Sequence, residues 1–534
     1  MRLSDLPYPS TRMPTFASNG VVATSQPLAA QAGLEVLRAG GNAVDAAIAT
    51  AVALTVVEPT SNGIGGDLFA LIWDKGKLYG LNSSGRAPAA IQAEAIRAQG
   101  NQSMPELGWA PVTVPGAPAG WKMMHERFGG LAFDRLFESA ISYAADGYPV
   151  PAVVGKAWAA AQSRFGGLKG AEFAGWRETF MPGGAAPAVG SKWASPAHAQ
   201  TLAKIAASGA EAFYRGDLAE AMAAFSAQTG GYLSADDLNA HTSEWVDPIK
   251  VDYRGHEVWE IPPNGQGIAA LIALGILEGF DASSQPHGAE QLWHWQIEAM
   301  KLAFADAHEY VTDPDFSPDV SEQLLSPAHL AARRALIGER AETRQSAELP
   351  RGGTVYLCTA DRDGMMVSFI QSNYHGFGSG VVVPGTGIAL HNRGHAFSLN
   401  SNHRNVLEPG KRPFHTIIPG FLTRGDTPIG PFGVMGAPMQ PQGHMQVISS
   451  TLDHGLNPQA ALDAPRWRFL QGNQSVVEPA TSPEVYKALI ARGHQLVEPA
   501  ADYHVGRGQI IWQLEDGVYV AGTEPRADGC VAAY

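Results

Sequence analysis

Between Asn42 and Glu58 the chain reads AVDAAIATAVALTVV, apolar on nearly every side. A helix without a polar face has to be covered all round, so it must occupy the middle of a layered structure. Asn42 is a helix-capping residue, and Glu58-Pro59 stops the run because the residue before a proline is pushed out of the helical region. Asp45 and Glu58 break the longest apolar window, which is too short to cross a membrane. The segment before it starts at Ser25-Gln26-Pro27, repeats apolar residues at Leu28, Ala32, Val36 and Leu37, and closes at Gly40-Gly41, the pattern of another helix. After it comes a glycine loop, Gly63-Ile64-Gly65-Gly66. Two strand-like runs follow, Leu68–Trp73 and Lys77–Asn82, joined at Asp74-Lys75-Gly76 as a β-hairpin.

From about 120 to 345 the chain reads mainly as helices, with Glu290–Thr312 the longest. Residues 313–352 are polar and charged and read as an exposed linker. From Thr354 the texture changes. Thr354–Cys358 and Met366–Ser372 are strand-like around a turn at Asp361–Gly364, more strands follow to 440, and a helix is expected near 442–454. No fixed-period repeat is visible. Helices, a hairpin, more helices and a strand-rich tail make a layered α/β or α+β protein.

Composition removes several functions. The 534 residues carry 37 Lys and Arg against 51 Asp and Glu, a net charge of −14, with no basic run. Nucleic acid is therefore not an expected partner. Cys358 and Cys530 are the two cysteines, which excludes a disulfide scaffold and a four-cysteine zinc site. The opening MRLSDLPYPS lacks the apolar run of a secretory signal, so the expectation is a cytoplasmic chain with no membrane partner.

The usual catalytic signatures are missing. There are 17 histidines but no HExxH and no Gly-x-Ser-x-Gly. The glycine loop precedes a strand and lacks the Lys-Ser/Thr of a phosphate loop, so no nucleotide, metal or other cofactor is expected. One position offers chemistry without them: Gly352-Gly353-Thr354, where the polar stretch meets the first strand of the tail. It reads either as a plain turn into a strand or as a self-cleavage site between Gly353 and Thr354. Scission there gives Thr354 a free α-amine, with an unperturbed pKa of about 7.7–8.0, beside its own hydroxyl. The amine can then take the hydroxyl proton and activate the oxygen as a nucleophile.

Taken together, several blocks resemble the γ-glutamyltransferase family. They are Gly40-Gly41-Asn42-Ala43-Val44-Asp45-Ala46-Ala47, Val57-Glu58-Pro59, the glycine loop, Val112–Gly116, Leu302–Asp306, Phe377-Gly378-Ser379-Gly380-Val381, Lys411-Arg412-Pro413 and Asp463-Ala464-Pro465-Arg466. The blocks run in order from about residue 20 to the C-terminus. The resemblance implies an α+β fold, the four-layer αββα sandwich of N-terminal nucleophile hydrolases. It also implies a precursor cut into a large subunit, 1–353, and a small subunit, 354–534, which together form one intertwined fold. A dimer of such heterodimers is the wider assembly considered. Thr354 would be the nucleophile of both scission and turnover, and Ser372 the hydroxyl that supports its amine. The family's oxyanion site, a pair of backbone amides in a Gly-Gly turn, maps to Met439 and Gln440.

The departures from the family bear on substrate. Ser84 stands where relatives carry an arginine for the substrate α-carboxylate, and Arg86 lies two residues on, about 6–7 Å along a strand. Tyr374, Arg393 and Ala396 stand where relatives hold the α-ammonium with an Asn, a Gln or Glu, and an Asp. His415 and Thr416 replace two serines. The ammonium would thus meet a cation and no counter-charge. This points to a small amide substrate that keeps a carboxylate but lacks the ammonium, with Arg86 and Arg393 as carboxylate partners or, equally, as surface or structural ion pairs. The connection from Phe397 to Lys411 is shorter than in relatives with a lid loop, which favours water as acceptor. Oxamate, hydrolysed to oxalate and ammonia, fits these departures. The alternatives are a glutathione hydrolase or γ-glutamyl transferase with different contacts, a glutaryl-type acylase, and a non-catalytic binder.

Overall fold

The apolar run folds as one helix, Ala43–Val57, with every residue buried. It begins in a capping box in which Asn42 accepts from the Asp45 amide and Asp45 accepts from the Asn42 amide. The structure, a computed structural model, describes residues 12–343, 353–498 and 505–534. The first eleven residues and positions 344–352, Gly352 among them, lie outside the described residues.

Two seven-stranded antiparallel sheets pack face to face. One runs, in spatial order, Cys530–Ala533, Gly20–Thr24, Gly353–Asp361, Met366–Tyr374, Asp67–Asp74, Lys77–Ser83 and Glu244–Val246. The other runs Thr15–Ala17, Tyr519–Thr523, Arg507–Gln513, Thr427–Met435, Gly420–Arg424, His256–Glu260 and Ile249–Tyr253. Side chains alternate between two cores, as the period of a strand requires. In the strand Asp67–Asp74, Phe69, Leu71 and Trp73 enter the core between the sheets. Leu68, Ala70 and Ile72 face the outer helices, Pro27–Arg38 and Ala43–Val57 among them. The helices Gly267–Leu277, Glu290–Tyr310 and Met439–Leu452 cover the other sheet. The result is the expected αββα sandwich. Among the described residues no helix is long and apolar enough to cross a membrane.

One expectation needs correction. The stretch after 312 is not an exposed linker over 313–343. It folds into Ser321–Leu324 and Pro327–Arg334, with Asp313, Leu324 and Leu330 buried, and the Arg334 guanidinium bonds the carbonyl of Ile276 at 2.8 Å. A few apolar anchors at helical spacing hold a polar sequence in place. The middle region is mainly helical, as expected, and also supplies the strands Glu244–Val246 and Ile249–Tyr253 at sheet edges and His256–Glu260 next to an edge, where charged residues alternate with apolar ones and weaken the local signal.

Candidate active site

Gly353 and Thr354 begin a central strand, and the neighbouring strand ends at Tyr374. A register shift between Gly353 and Val355 interrupts the ladder beside Thr354. Thr354 is buried. Its Oγ1 lies 3.1 Å from the Oγ of Ser372, and the Ser372 hydroxyl donates to the carbonyl oxygen of Gly353 at 2.9 Å. That carbonyl belongs to the Gly353–Thr354 peptide bond. The Ser372 oxygen also accepts from the Tyr374 amide at 2.8 Å. With its one hydrogen on the Gly353 carbonyl, Ser372 is left to accept the Thr354 hydroxyl. The threonine oxygen keeps its lone pairs free for the adjacent carbonyl carbon.

The row continues onto a third strand, where Asp67 pairs with Ser372. The glycine loop makes this approach feasible. A Cβ on Gly65 would stand 2.4 Å from the Ala389 carbonyl, and one on Gly66 would stand 2.6 Å from the Ser372 carbonyl. The loop therefore serves backbone contact at the site, not phosphate binding. The Gly65 carbonyl accepts from the His391 amide at 3.0 Å, which draws the segment after 388 in.

Arg393 and its surroundings form the second half. Its side chain is fully buried, so the surface ion pair weighed from sequence is excluded. Nη1 donates to the Thr416 hydroxyl at 2.7 Å, and the guanidinium carbon sits 4.3 Å over the Tyr374 ring. Nε lies 3.9 Å from Oδ2 of Asp67, too far for a hydrogen bond. Nε and Nη2 have no hydrogen-bond partner among the described residues. Burial pulls the Arg393 guanidinium down to about 10. His415 donates from Nε2 to Asp67 at 2.9 Å and accepts the Ile417 amide at Nδ1 over 3.4 Å. Burial, then the neighbouring Arg393 charge, pushes this imidazole down to about 3, so it is neutral. Burial works to raise the Asp67 carboxyl, but His391 and His415 overcome it and hold it well below the usual carboxylate range.

Other expected residues fall differently. Arg86 is bound at Nη1 to Asp313 at 3.1 Å and to the Gly410 carbonyl at 3.0 Å, and at Nη2 to Asp315 at 2.7 Å. This is the structural ion pair and not an open carboxylate receptor. Ser84 lies past the strand end at Ser83 and bonds Asn82 at 2.7 Å and Asn264 at 3.2 Å. The Met439 and Gln440 amides donate within their own turn, to Gly436 at 3.1 Å and Ala437 at 3.0 Å. Neither amide is an unclaimed donor. The Gln440 side chain is anchored by the Ile418 amide at 2.9 Å, and its Nε2 is buried without a partner among the described residues. Tyr374 and Ala437 have left-handed backbone, φ 74° and 53°, which costs side-chain-bearing residues about 1–3 kcal/mol and recurs at functional sites.

Sequence reading missed Asp67, His391 and Asn373. The Asn373 side chain is buried with both polar atoms unpartnered among the described residues. Asp67 did leave a signal, since a charged residue opens an otherwise apolar strand. It also missed a buried cluster, His294, Glu298 and His494, whose ligand-type atoms lie within 4.8 Å of one another. There the two rings bond each other at 2.9 Å, and Lys301 holds Glu298 at 2.6 Å.

Two antiparallel sheets between helix layers, with a threonine at the head of a central strand, define the N-terminal nucleophile hydrolases. Residues 29–534 match the Gamma-glutamyltranspeptidase family, and the chain belongs to it. The chain is 36% identical to the glutathione hydrolase-like YwrD proenzyme of Bacillus subtilis, over 94% of this chain and 96% of that one. It is 35% identical to the oxamate amidohydrolase proenzyme of Klebsiella pneumoniae, over 97% and 99%. Among solved structures, cephalosporin acylase from Bacillus halodurans superposes with a TM-score of 0.95 at 56% identity, covering 99% and 98%. The chain is accordingly an amide-hydrolysing enzyme of this family.

Proposed function

We propose that this chain is a self-processing threonine amidohydrolase whose substrates carry a carboxylate but no ammonium on the acyl group. The buried Arg393 carries the reading. Its Nε and Nη2 are the two donors of one guanidinium edge, and both lack a partner among the described residues. Buried donors without acceptors are costly, and a carboxylate bound through both would satisfy them.

In scission, the Thr354 oxygen attacks the Gly353 carbonyl carbon while Ser372 donates to the carbonyl oxygen. The Gly353–Thr354 C–N bond breaks, the nitrogen takes the proton given up by the Thr354 hydroxyl and becomes a free amine, and the acyl group moves to the threonine oxygen as an ester. Water then hydrolyses the ester, releasing the Gly353 carboxylate and restoring the Thr354 hydroxyl beside the free amine. The same amine accepts the hydroxyl proton when Thr354 attacks a substrate amide and returns it to the departing nitrogen. The products are subunits 1–353 and 354–534, and the word proenzyme in the relatives' names supports the processing of a precursor. The two unpaired cysteines accord with a cytoplasmic location.

Contrary to the expectation from sequence, the pocket does hold a negative charge, because Asp67 lies beside Arg393. Its oxygens are already approached by Gly85 at 3.3 Å, His415 at 2.9 Å and His391 at 3.3 Å, which leaves it a poor site for an ammonium. Oxamate is the smallest substrate of the proposed kind. A glutaryl-type amide is the second reading, favoured by the 56% identity to an enzyme named cephalosporin acylase.

A panel of amides tests the proposal. Oxamate, a glutaryl amide and a γ-glutamyl amide are compared by kcat/KM. The proposal expects one of the first two to exceed the γ-glutamyl amide at least tenfold. Preference for the γ-glutamyl amide would overturn it.

A further inference from the structure

We infer that Asp67 is a positioning residue, the counter-ion that holds Arg393 charged and aimed while leaving its carboxylate-binding edge open. The inference rests on the reading of Arg393 given above.

Asp67 starts the strand beside Ser372, and alternation along that strand turns its side chain toward the space between the sheets, with Phe69 and Leu71. A carboxylate buried there is tolerated only if its oxygens are satisfied. Oδ1 accepts the Gly85 amide at 3.3 Å and Oδ2 accepts His415 at 2.9 Å, while His391 Nδ1 stands 3.3 Å from Oδ2 without a hydrogen bond. Arg393 completes the group at 3.9 Å. That separation leaves strong charge attraction but no hydrogen bond.

The guanidinium is thus held by a charge from Asp67, one hydrogen bond to Thr416 and a ring face from Tyr374. None of these occupies Nε or Nη2 as a hydrogen-bond acceptor. Asp67 also fixes the segment that carries Thr416. It receives the Nε2 hydrogen of His415, and the His415 backbone is tied on both sides, its amide to the Asn264 carbonyl and its carbonyl to the Gln266 amide, each at 2.8 Å. One carboxylate therefore sets both the arginine and the hydroxyl that orients it. The counter-charge and the orienting bond come from different residues, so the arginine stays ionised without spending the edge a substrate needs.

The test is Asp67→Asn, which keeps the shape and removes the charge. The variant is assayed with a carboxylate-bearing amide chosen from the panel, a neutral amide of similar size and a γ-glutamyl amide. The expected result is a KM at least tenfold higher for the carboxylate-bearing amide, kcat within threefold, the neutral amide unchanged, and self-cleavage complete. An unchanged KM, or equal loss on carboxylate-bearing and neutral amides, would overturn the inference. Selective loss of the γ-glutamyl amide would also overturn it, showing that Asp67 binds an ammonium. Arg393→Ala run in parallel separates the two readings. If it leaves KM for the carboxylate-bearing amide untouched, the function proposed above fails. If it raises KM while Asp67→Asn does not, only the role of Asp67 fails. Should Asp67→Asn not fold, His415→Leu removes one donor to the carboxylate. It should raise the same KM to a smaller degree, and no change would overturn the inference.

Discussion

Ser372 and Thr354 face each other across two adjacent strands with hydroxyl oxygens 3.1 Å apart, and the Ser372 hydroxyl also reaches the carbonyl just before Thr354. One hydroxyl thereby addresses both partners of the first chemical step, the attacking oxygen and the carbonyl that becomes negative. Removing a donor aimed at such developing charge typically costs about 10²–10³ in rate. Ser372→Ala should slow self-cleavage by roughly that factor, read from the decay of the full-length band on a denaturing gel. Ser372→Thr, which keeps the hydroxyl, should cleave far faster than Ser372→Ala. Equal rates for Ser372→Ala and the parent would show that the hydroxyl is a bystander.

Arg393 should matter for substrate and little for scission. Truncating one partner of a buried charged pair costs about 2–4 kcal/mol, a loss of roughly 30- to 700-fold. Arg393→Ala should lose that much kcat/KM on a carboxylate-bearing amide while still giving two subunits. Arg393→Lys should recover little, since an ammonium cannot present the planar pair of donors. Parallel loss of scission and turnover would make Arg393 a structural residue.

Acid should destabilise the fold. Burial lowers His198, His241 and His375 to about 4 and His415 and His444 to about 3. In the unfolded chain these groups take a proton near pH 6.5, whereas the folded chain resists until pH 3–4. Over that window the unfolded state binds more protons, so stability falls as pH falls. The raised carboxyls of Glu58, Glu260 and Asp361 act in the opposite sense but are fewer. The melting temperature should be clearly lower at pH 5 than at pH 7.5. A flat profile would mean that these histidines are hydrated and titrate normally.

Much of this was legible in the sequence, and the exceptions follow one rule. The helix cap at Asn42, the apolar helix behind it, the first hairpin and the Thr354–Ser372 strand pair all depend on residues close in sequence. The Asp67 cluster does not, because it gathers positions 67, 391, 393, 415 and 416, and no local spacing predicts that meeting. Arg86 and Arg393 looked interchangeable from sequence, yet three-dimensional neighbours separate them. Asp313 and Asp315 bind the first, whereas the second keeps an edge without hydrogen-bond partners among the described residues. The Met439–Gln440 turn shows a related limit. Sequence placed two amides there, but whether an amide is available depends on turn geometry.

The account turns on Thr354 becoming the first residue of a new chain. N-terminal sequencing and intact mass spectrometry of the purified protein, beside Thr354→Ala, address this directly. The prediction is two fragments, 1–353 and 354–534, the second beginning with threonine, and a single inactive full-length chain for the variant. A fragment starting at any other residue, or turnover by an uncut chain, would contradict it.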